Sequence, residues 1–82
     1  MKIQIKLIGR YKEMVGSSSL ELDIGTGETL WHVVDVFIKK YPVFVKDKKF
    51  MMVSKNGVLS GHETRVGPDD EVTLAPPVVS GG

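Results

Sequence analysis

The sequence predicts an α+β fold in which one main helix covers one face of a mixed β-sheet. Three observations predict this fold. Residues 2–8 alternate between apolar and polar side chains, which is typical of a half-buried strand. Residues 30–41 carry apolar side chains at helical spacing, and Pro42 ends that pattern. Asn56-Gly57 favours a two-residue hairpin turn, because both residues tolerate positive φ.

The remaining elements follow from local sequence signals. Residues 9–16 form a connection that contains one helical turn at residues 11–15. Thr29 is the predicted N-cap of the main helix, because its hydroxyl can accept hydrogen bonds from the free amides of the first turn. We expect a basic loop at residues 43–49 and a polar loop at residues 60–70. The predicted strands span residues 2–8, 20–24, 50–55, 58–59 and 71–75.

This order of elements predicts a ubiquitin-like β-grasp, with the first and last strands parallel and adjacent. The last strand ends at Pro76 and Pro77, which have no N–H to donate to a ladder. We therefore expect a β-grasp domain at residues 1–75 and a flexible C-terminal tail at residues 76–82, projecting away from the sheet. The predicted core consists of Ile3, Ile5, Leu7, Leu22, Leu30, Val34, Phe37, Val72 and Leu74.

Length and composition exclude several classes of function. The chain has 82 residues, 11 basic against 10 acidic side chains, a net charge of +1 and no cysteine. A single domain of this size has little room for a large enclosed active site, and it has no thiolate chemistry. The balanced charge gives no electrostatic reason to expect direct nucleic-acid binding. No apolar run approaches the roughly 20 residues of a membrane span, and the N-terminus carries no targeting signal, so we expect a cytoplasmic protein.

Few side chains suggest catalysis, a cofactor or a metal. His32 and His62 have no His or Cys partner at ligand spacing, so both are predicted to be surface residues and no metal is expected. Gly25-Thr26-Gly27 begins like a dinucleotide loop, but Leu30 occupies the third glycine position, which favours a tight turn and no cofactor. Trp31 is expected at the edge of the core. A solvated loop, with a docking patch as the alternative, is predicted for Lys46, Lys48 and Lys49.

The terminal pair Gly81-Gly82 is the most informative functional feature. Without a Cβ on either residue, the backbone can enter a narrow slot and present the Gly82 carboxylate for activation, for example as an acyl-adenylate. Residues 75–82 would reach about 23 Å if extended. A frayed terminus or an expression scar is the alternative explanation of the two glycines.

The polar face of the predicted sheet also carries apolar side chains. Ile8, Leu59 and Ala75 interrupt the polar positions of their strands. The alternation predicts that these side chains cluster on the face opposite the helix. Such a cluster is suited to binding a partner protein.

The chain resembles the small, sulfur-carrying subunit of molybdopterin synthase, within the group of ubiquitin-like sulfur carriers. The most specific similarity is the sequence DEVTLAPPV at residues 70–78, followed by Gly81-Gly82. Residues 10–16 and Asn56 at the hairpin match as well. Two departures are Ala75, where the family often has a bulky aromatic residue, and a tail that is one residue longer than usual.

The resemblance implies a mechanism in which the chain is consumed rather than acting as a catalyst. An ATP-dependent E1-like activating enzyme would adenylate Gly82, and a sulfur donor would convert it to a thiocarboxylate. The tail would then enter the large subunit of molybdopterin synthase, which holds the catalytic side chains and passes sulfur to a pyranopterin precursor. The expected partner-binding residues are Ile8, Leu59, Ala75, Pro76, Pro77 and Val78.

Two other functions remain open at the level of the sequence. Archaeal ubiquitin-like modifiers resemble the same pattern, which implies conjugation to protein lysines or sulfur supply for tRNA thiolation. A non-catalytic adaptor that binds partners only through its sheet is the other alternative. An adaptor would not need the terminal glycines, whereas a carrier or a modifier would.

Overall fold

One mixed sheet of five strands organises the protein. The computed structural model describes residues 1–77. The strands are β1 (Lys2–Leu7), β2 (Ser19–Asp23), β3 (Met52–Lys55), β4 (Val58–Leu59) and β5 (Glu71–Ala75), in the sheet order β2-β1-β5-β3-β4. The helices are α1 (Arg10–Val15), α2 (Leu30–Lys40) and a 3₁₀ helix (Pro42–Asp47). No helix within residues 1–77 is long and apolar enough to cross a membrane.

The first and last strands lie side by side and run parallel, as predicted. Ile5 pairs with Val72, and Leu7 pairs with Leu74. β2 is antiparallel to β1 on one side, and β3 is antiparallel to β5 on the other. With α2 packed on one face of this sheet, the architecture is the ubiquitin-like β-grasp, and the fold prediction is confirmed.

The main helix begins where the sequence predicts and is closed by a neighbouring loop. Thr29 is extended, with φ −98° and ψ 168°, and its hydroxyl accepts a hydrogen bond from the N–H of His32 at 3.4 Å. The N–H of Leu30 donates to the carbonyl of Thr64 at 2.8 Å, and a second amide of the first turn donates to the same loop. Loop 60–70 therefore satisfies helix amides that would otherwise be unpaired.

All nine predicted core residues are buried, with at most 3 % of any of them exposed. The packed interior is larger than the sequence patterns indicated, because short and irregular segments contribute to it. The residues that complete the core are Tyr11, Ile24, Val33, Ile38, Phe44, Met51, Val53 and Val66.

The prediction of a basic loop at residues 43–49 was wrong in part, because most of this segment forms the 3₁₀ helix. Phe44 is buried on this helix and stacks on Phe37, with ring centroids 5.2 Å apart and an interplanar angle of 13°. A 3₁₀ helix repeats every three residues, so its six residues place only two positions on one face. Here they are Phe44 and the polar Asp47, which give no apolar period. The third strand also begins later than predicted, and Phe50 is 66 % exposed.

Phe37→Ala tests whether this aromatic contact supports the fold. The free energy of unfolding should fall by about 3–5 kcal/mol, because the change removes a fully buried ring and leaves a cavity. Phe50→Ala makes the same chemical change at an exposed position and should cost less than about 0.5 kcal/mol. Chemical denaturation monitored by circular dichroism measures both values. Equal losses for the two variants would contradict the described core.

Candidate functional site

The sheet face opposite α2, here called the outer face, carries a row of apolar side chains. Ile8 follows the buried Leu7, and its N–H donates to the carbonyl of Leu74 at 3.3 Å, so the β1–β5 pairing continues to this residue. The same register places Ile8 beside Ala75, which pairs with Met52 on β3. Paired residues of neighbouring strands point to the same side of a sheet. The three side chains therefore form one row across β1, β5 and β3.

Leu59 extends this row toward the edge of the sheet. It pairs with Ser54, which lies two residues from Met52 on the same face of β3. Leu59 and Met52 are thus diagonal neighbours, roughly 7–8 Å apart. Leu59 is 63 % exposed and Ile8 is 45 % exposed, whereas Met52 and Ala75 are half-buried. We call Ile8, Met52, Leu59 and Ala75 the outer patch.

Sequence reasoning missed Met52, because the inward and outward positions of residues 50–55 could not be assigned from an apolar run. The hairpin turn contained the missing signal. A two-residue turn at Asn56-Gly57 pairs Lys55 with Val58 and Ser54 with Leu59. Counting back two residues from Ser54 places Met52 on the same face as Leu59.

The C-terminal segment leaves the domain beside the outer patch. Pro76 and Pro77 follow β5 and are half-buried. A Cβ on Gly9 would lie 3.4 Å from Cγ of Pro76, at ordinary van der Waals contact, so the Pro76 ring lies directly beside Gly9. The predicted site residues Val78, Gly81 and Gly82 lie outside the described residues.

A polar cluster holds α1 to the 3₁₀ helix close to this exit point. The Tyr11 hydroxyl donates to Oδ2 of Asp47 at 2.7 Å, and Nη2 of Arg10 donates to the same oxygen at 2.5 Å. The Tyr11 ring is fully buried and lies 4.6 Å from the Phe44 ring centroid. Burial and the Asp47 carboxylate raise the pKa of Tyr11 well above its ordinary value. The cluster anchors the segment at residues 10–16 to the core.

Asn56 connects the hairpin to the start of β5. Its Oδ1 accepts from the N–H of Glu71 at 2.8 Å, and its Nδ2 donates to Oδ1 of Asp70 at 2.9 Å. The N–H of Gly67 donates to the other Asp70 oxygen at 2.7 Å. The hydrogen bonds from Asn56 and Gly67 lower the pKa of Asp70. Asn56 adopts φ +52°, which asparagine tolerates better than most residues. Its role in the described structure is to set the position of β5.

The other candidate side chains make local contacts. Nδ1 of His32 lies 3.8 Å from Oε2 of Glu28, and the His62 ring stands edge-on to Trp31 with centroids 4.7 Å apart. Nζ of Lys48 lies 4.8 Å from the Trp31 ring centroid. Across residues 1–77, no three His, Cys, Asp or Glu side chains are grouped to hold a metal ion. The described part of the chain carries an exposed apolar patch beside the end of β5.

Comparison with known proteins agrees with this geometry. The ThiS family profile matches residues 5–82. The chain belongs to the ThiS family. This ThiS-family chain is a ubiquitin-like protein of the group that contains sulfur carriers and modifiers. No curated protein sequence matches it.

Solved structures share the fold of this ThiS-family chain. Small archaeal modifier protein 1 from Methanosarcina acetivorans is 27 % identical, with a TM-score of 0.77 over 99 % of this chain and 96 % of that one. A complex of subunits 1 and 2 of the molybdopterin-converting factor from Helicobacter pylori matches with 16 % identity and a TM-score of 0.66, over 99 % and 100 %. The BexX/CysO complex from Amycolatopsis orientalis matches with 18 % identity and a TM-score of 0.67, over 96 % and 99 %.

Tyr11→Phe tests the anchor of α1. Losing the hydrogen bond to Asp47 should lower the free energy of unfolding at neutral pH by about 1 kcal/mol. The fold favours the neutral phenol of Tyr11. The stability that this phenol contributes is therefore fully present below the unfolded pKa of about 10, and it is lost as the pH rises toward the higher folded pKa. The native chain should therefore lose stability above about pH 10, and Tyr11→Phe should lose less.

Denaturation curves at neutral and alkaline pH measure this difference. Tyr41→Phe is the matched control, because it removes a phenol from a half-buried ring outside the cluster. It should retain the alkaline loss of the native chain. An alkaline profile of Tyr11→Phe identical to that of the native chain would contradict the assigned role.

Proposed function

We propose that this chain is a cytoplasmic sulfur carrier whose C-terminal Gly82 carboxylate is adenylated and then thiocarboxylated. The thiocarboxylate donates sulfur to a pyranopterin precursor during synthesis of molybdopterin. In this proposal residues 76–82 act as a tail that enters partner proteins, and residues 1–75 act as the docking domain. The catalytic side chains belong to the large subunit of molybdopterin synthase.

The proposed chemistry requires only a carboxylate with nothing bulky around it. A carboxylate oxygen of Gly82 attacks the α-phosphorus of ATP in an E1-like enzyme, and pyrophosphate leaves. Sulfur from a donor, written as hydrosulfide, then attacks the carbonyl carbon, so that a C–S bond forms and the C–O bond to AMP breaks. Gly81 and Gly82 have no Cβ, which lets the activating enzyme close around the backbone.

The observation that carries the proposal is the ThiS family match, which runs to Gly82 and so includes both terminal glycines. The geometry of the described residues supports it. β5 lies inside the sheet and ends beside the outer patch, so a partner that covers the patch also meets the start of the tail. The structural match to a complex of molybdopterin-converting factor subunits supports a protein partner for this fold.

A protein modifier is the second candidate, and one observation favours it. The similarity to small archaeal modifier protein 1 reaches 27 % identity over nearly the whole length of both chains. A modifier uses the same adenylate, but a lysine amine displaces AMP and an isopeptide bond results. A chain that supplies sulfur for tRNA thiolation would instead form the same thiocarboxylate as the molybdopterin carrier. The products therefore separate a modifier from either kind of carrier.

Removal of Gly82 should abolish activation without lowering thermal stability, because Gly82 is proposed to make no core contact. The native chain is incubated with activating enzyme, ATP and sulfide, and intact-mass spectrometry should show replacement of one oxygen by sulfur. Gly81→Ala should reduce the yield, because its methyl group crowds the slot. Thermal melting of the three chains checks that each is folded.

An unchanged mass of the native chain, with an enzyme shown to be active on another carrier, would refute the carrier function and leave the adaptor. Isopeptide-linked adducts in cell extract would favour the modifier. A thiocarboxylate that thiolates tRNA but fails with a molybdopterin synthase large subunit would reassign the acceptor.

Leu59→Glu tests the outer patch as the docking surface. A charge there should weaken binding to the large subunit by roughly tenfold or more, because a carboxylate would be desolvated in an apolar contact. Val58→Glu is the matched control, since neighbouring residues of β4 point to opposite faces and Val58 is 65 % exposed. Calorimetric titration measures both affinities. Equal weakening by the two variants would contradict the assignment, and unfolding of Leu59→Glu would identify Leu59 as a core residue.

A further inference from the structure

The paired ends of β1 and β5 diverge at Gly9 and Pro76. Leu7 pairs with Leu74, and the N–H of Ile8 still donates to the Leu74 carbonyl. The same register places Gly9 beside Pro76, where the ladder ends on both strands. Pro76 has no N–H to donate, and the chain turns toward α1 at Gly9 with φ +62° and ψ −140°. Gly9, which lies between β1 and α1, is therefore the last residue beside the start of the C-terminal segment.

The backbone of Gly9 requires glycine, and its neighbour Pro76 limits the size of any side chain there. Its backbone conformation lies in a region that L-residues avoid. In addition, a Cβ would lie 3.4 Å from Cγ and 3.5 Å from Cδ of Pro76, so the proline ring occupies the space that a longer side chain would need. The other glycines with positive φ differ in this respect. A Cβ on Gly16, Gly27 or Gly57 would meet nothing within 4 Å.

Gly9 is held in place by the helix that follows it. Gly9 precedes α1 directly, and the ring of Tyr11 in the first turn is fully buried. That ring packs against Phe44 and Phe37, and its hydroxyl is held by Asp47. Displacing Gly9 would therefore disturb a well-packed part of the core.

We propose that Gly9 is a positioning residue for the C-terminal segment. The ring of Pro76 packs beside the bare Cα of Gly9, and we call this contact the seat. The seat sets the direction in which residues 77–82 leave the domain. Without the seat, the pivot of the segment would move back to Ala75, and the carboxylate would reach an activating enzyme from a wider range of directions. The inference rests on the proposed function, because its consequence is the presentation of Gly82.

Nuclear magnetic resonance tests the seat without any enzyme. The native full-length chain should show nuclear Overhauser contacts from the Hα protons of Gly9 to the ring protons of Pro76. The Val78 amide, the first N–H after the two prolines, should have a lower order parameter in Pro76→Ala than in the native chain or in Pro77→Ala. Absence of the contacts, or equal order parameters in both proline variants, would overturn the proposal.

Activation kinetics test the consequence. Gly9→Val should lower kcat/KM for adenylation by about tenfold or more, because misdirection of a reacting group is costly. Gly16→Val also places a branched side chain at positive φ, but in open space, and should stay within about twofold of the native chain. Circular dichroism at the assay temperature confirms that each variant is folded. Equal losses in the two glycine variants would reject the role of Gly9.

A double variant separates the seat from backbone strain. Pro76→Ala removes Cγ and Cδ, the two atoms that approach Gly9. The additional loss caused by Gly9→Val should therefore shrink in the Pro76→Ala background, whereas strain alone would give the same loss in both backgrounds. If Gly9→Val does not fold, the comparison of Pro76→Ala with Pro77→Ala decides. If the native chain is not adenylated at all, the proposed function fails, and the magnetic resonance result still decides the seat.

Discussion

The parallel pairing of β1 with β5 is the constraint on which the other features depend. Parallel neighbours cannot be joined by a tight turn, so the chain between them must cross the sheet, and α2 lies in that crossover. Ile5, Val72 and Leu74 are fully buried on the face that α2 covers. Because β5 has neighbours on both sides, its last residue is flanked by Ile8 and Met52. The pairing thus determines where the C-terminal segment begins.

Short polar clusters hold this frame at its two ends. Asn56 binds the backbone of Glu71 and the side chain of Asp70, so the hairpin and the start of β5 are joined. At the opposite end, Asp47 accepts hydrogen bonds from Tyr11 and Arg10 and joins α1 to the 3₁₀ helix. With no cysteine in the chain, such contacts and the packed core must supply the stability of the domain.

The proposed division between a packed domain and a terminal tail suits a protein that is processed by several partners. In our proposal the chemistry takes place at one carboxylate, and the partners supply the catalytic groups. The domain then has two tasks, which are to offer a docking surface and to deliver the carboxylate from a defined point. The outer patch and the Gly9–Pro76 contact lie next to each other on the described surface, so the proposed docking and delivery would be coupled by position.

Patterns with a regular period determined most of the fold in advance. The alternation at residues 2–8 and the helical spacing at residues 30–41 reported which side chains are buried, since burial on one face imposes that period. Phe44 and Tyr11 were missed because each is one buried ring in a segment of one or two turns, which is too short to show a period. Exposed Ile8 and Leu59 were found as exceptions to an alternation, and Met52 was missed where no alternation existed.

The sequence by itself determined the strands and the main helix, the central core positions and the glycine-terminated segment, because these depend on side-chain chemistry and local spacing. Only the tertiary structure decided that Ile8, Ala75 and Met52 form one row, since strand register is a relation between distant segments. It alone placed Pro76 on Gly9. A glycine in the sequence allows a close approach, but the residue that makes the approach is chosen by the packing of the whole sheet.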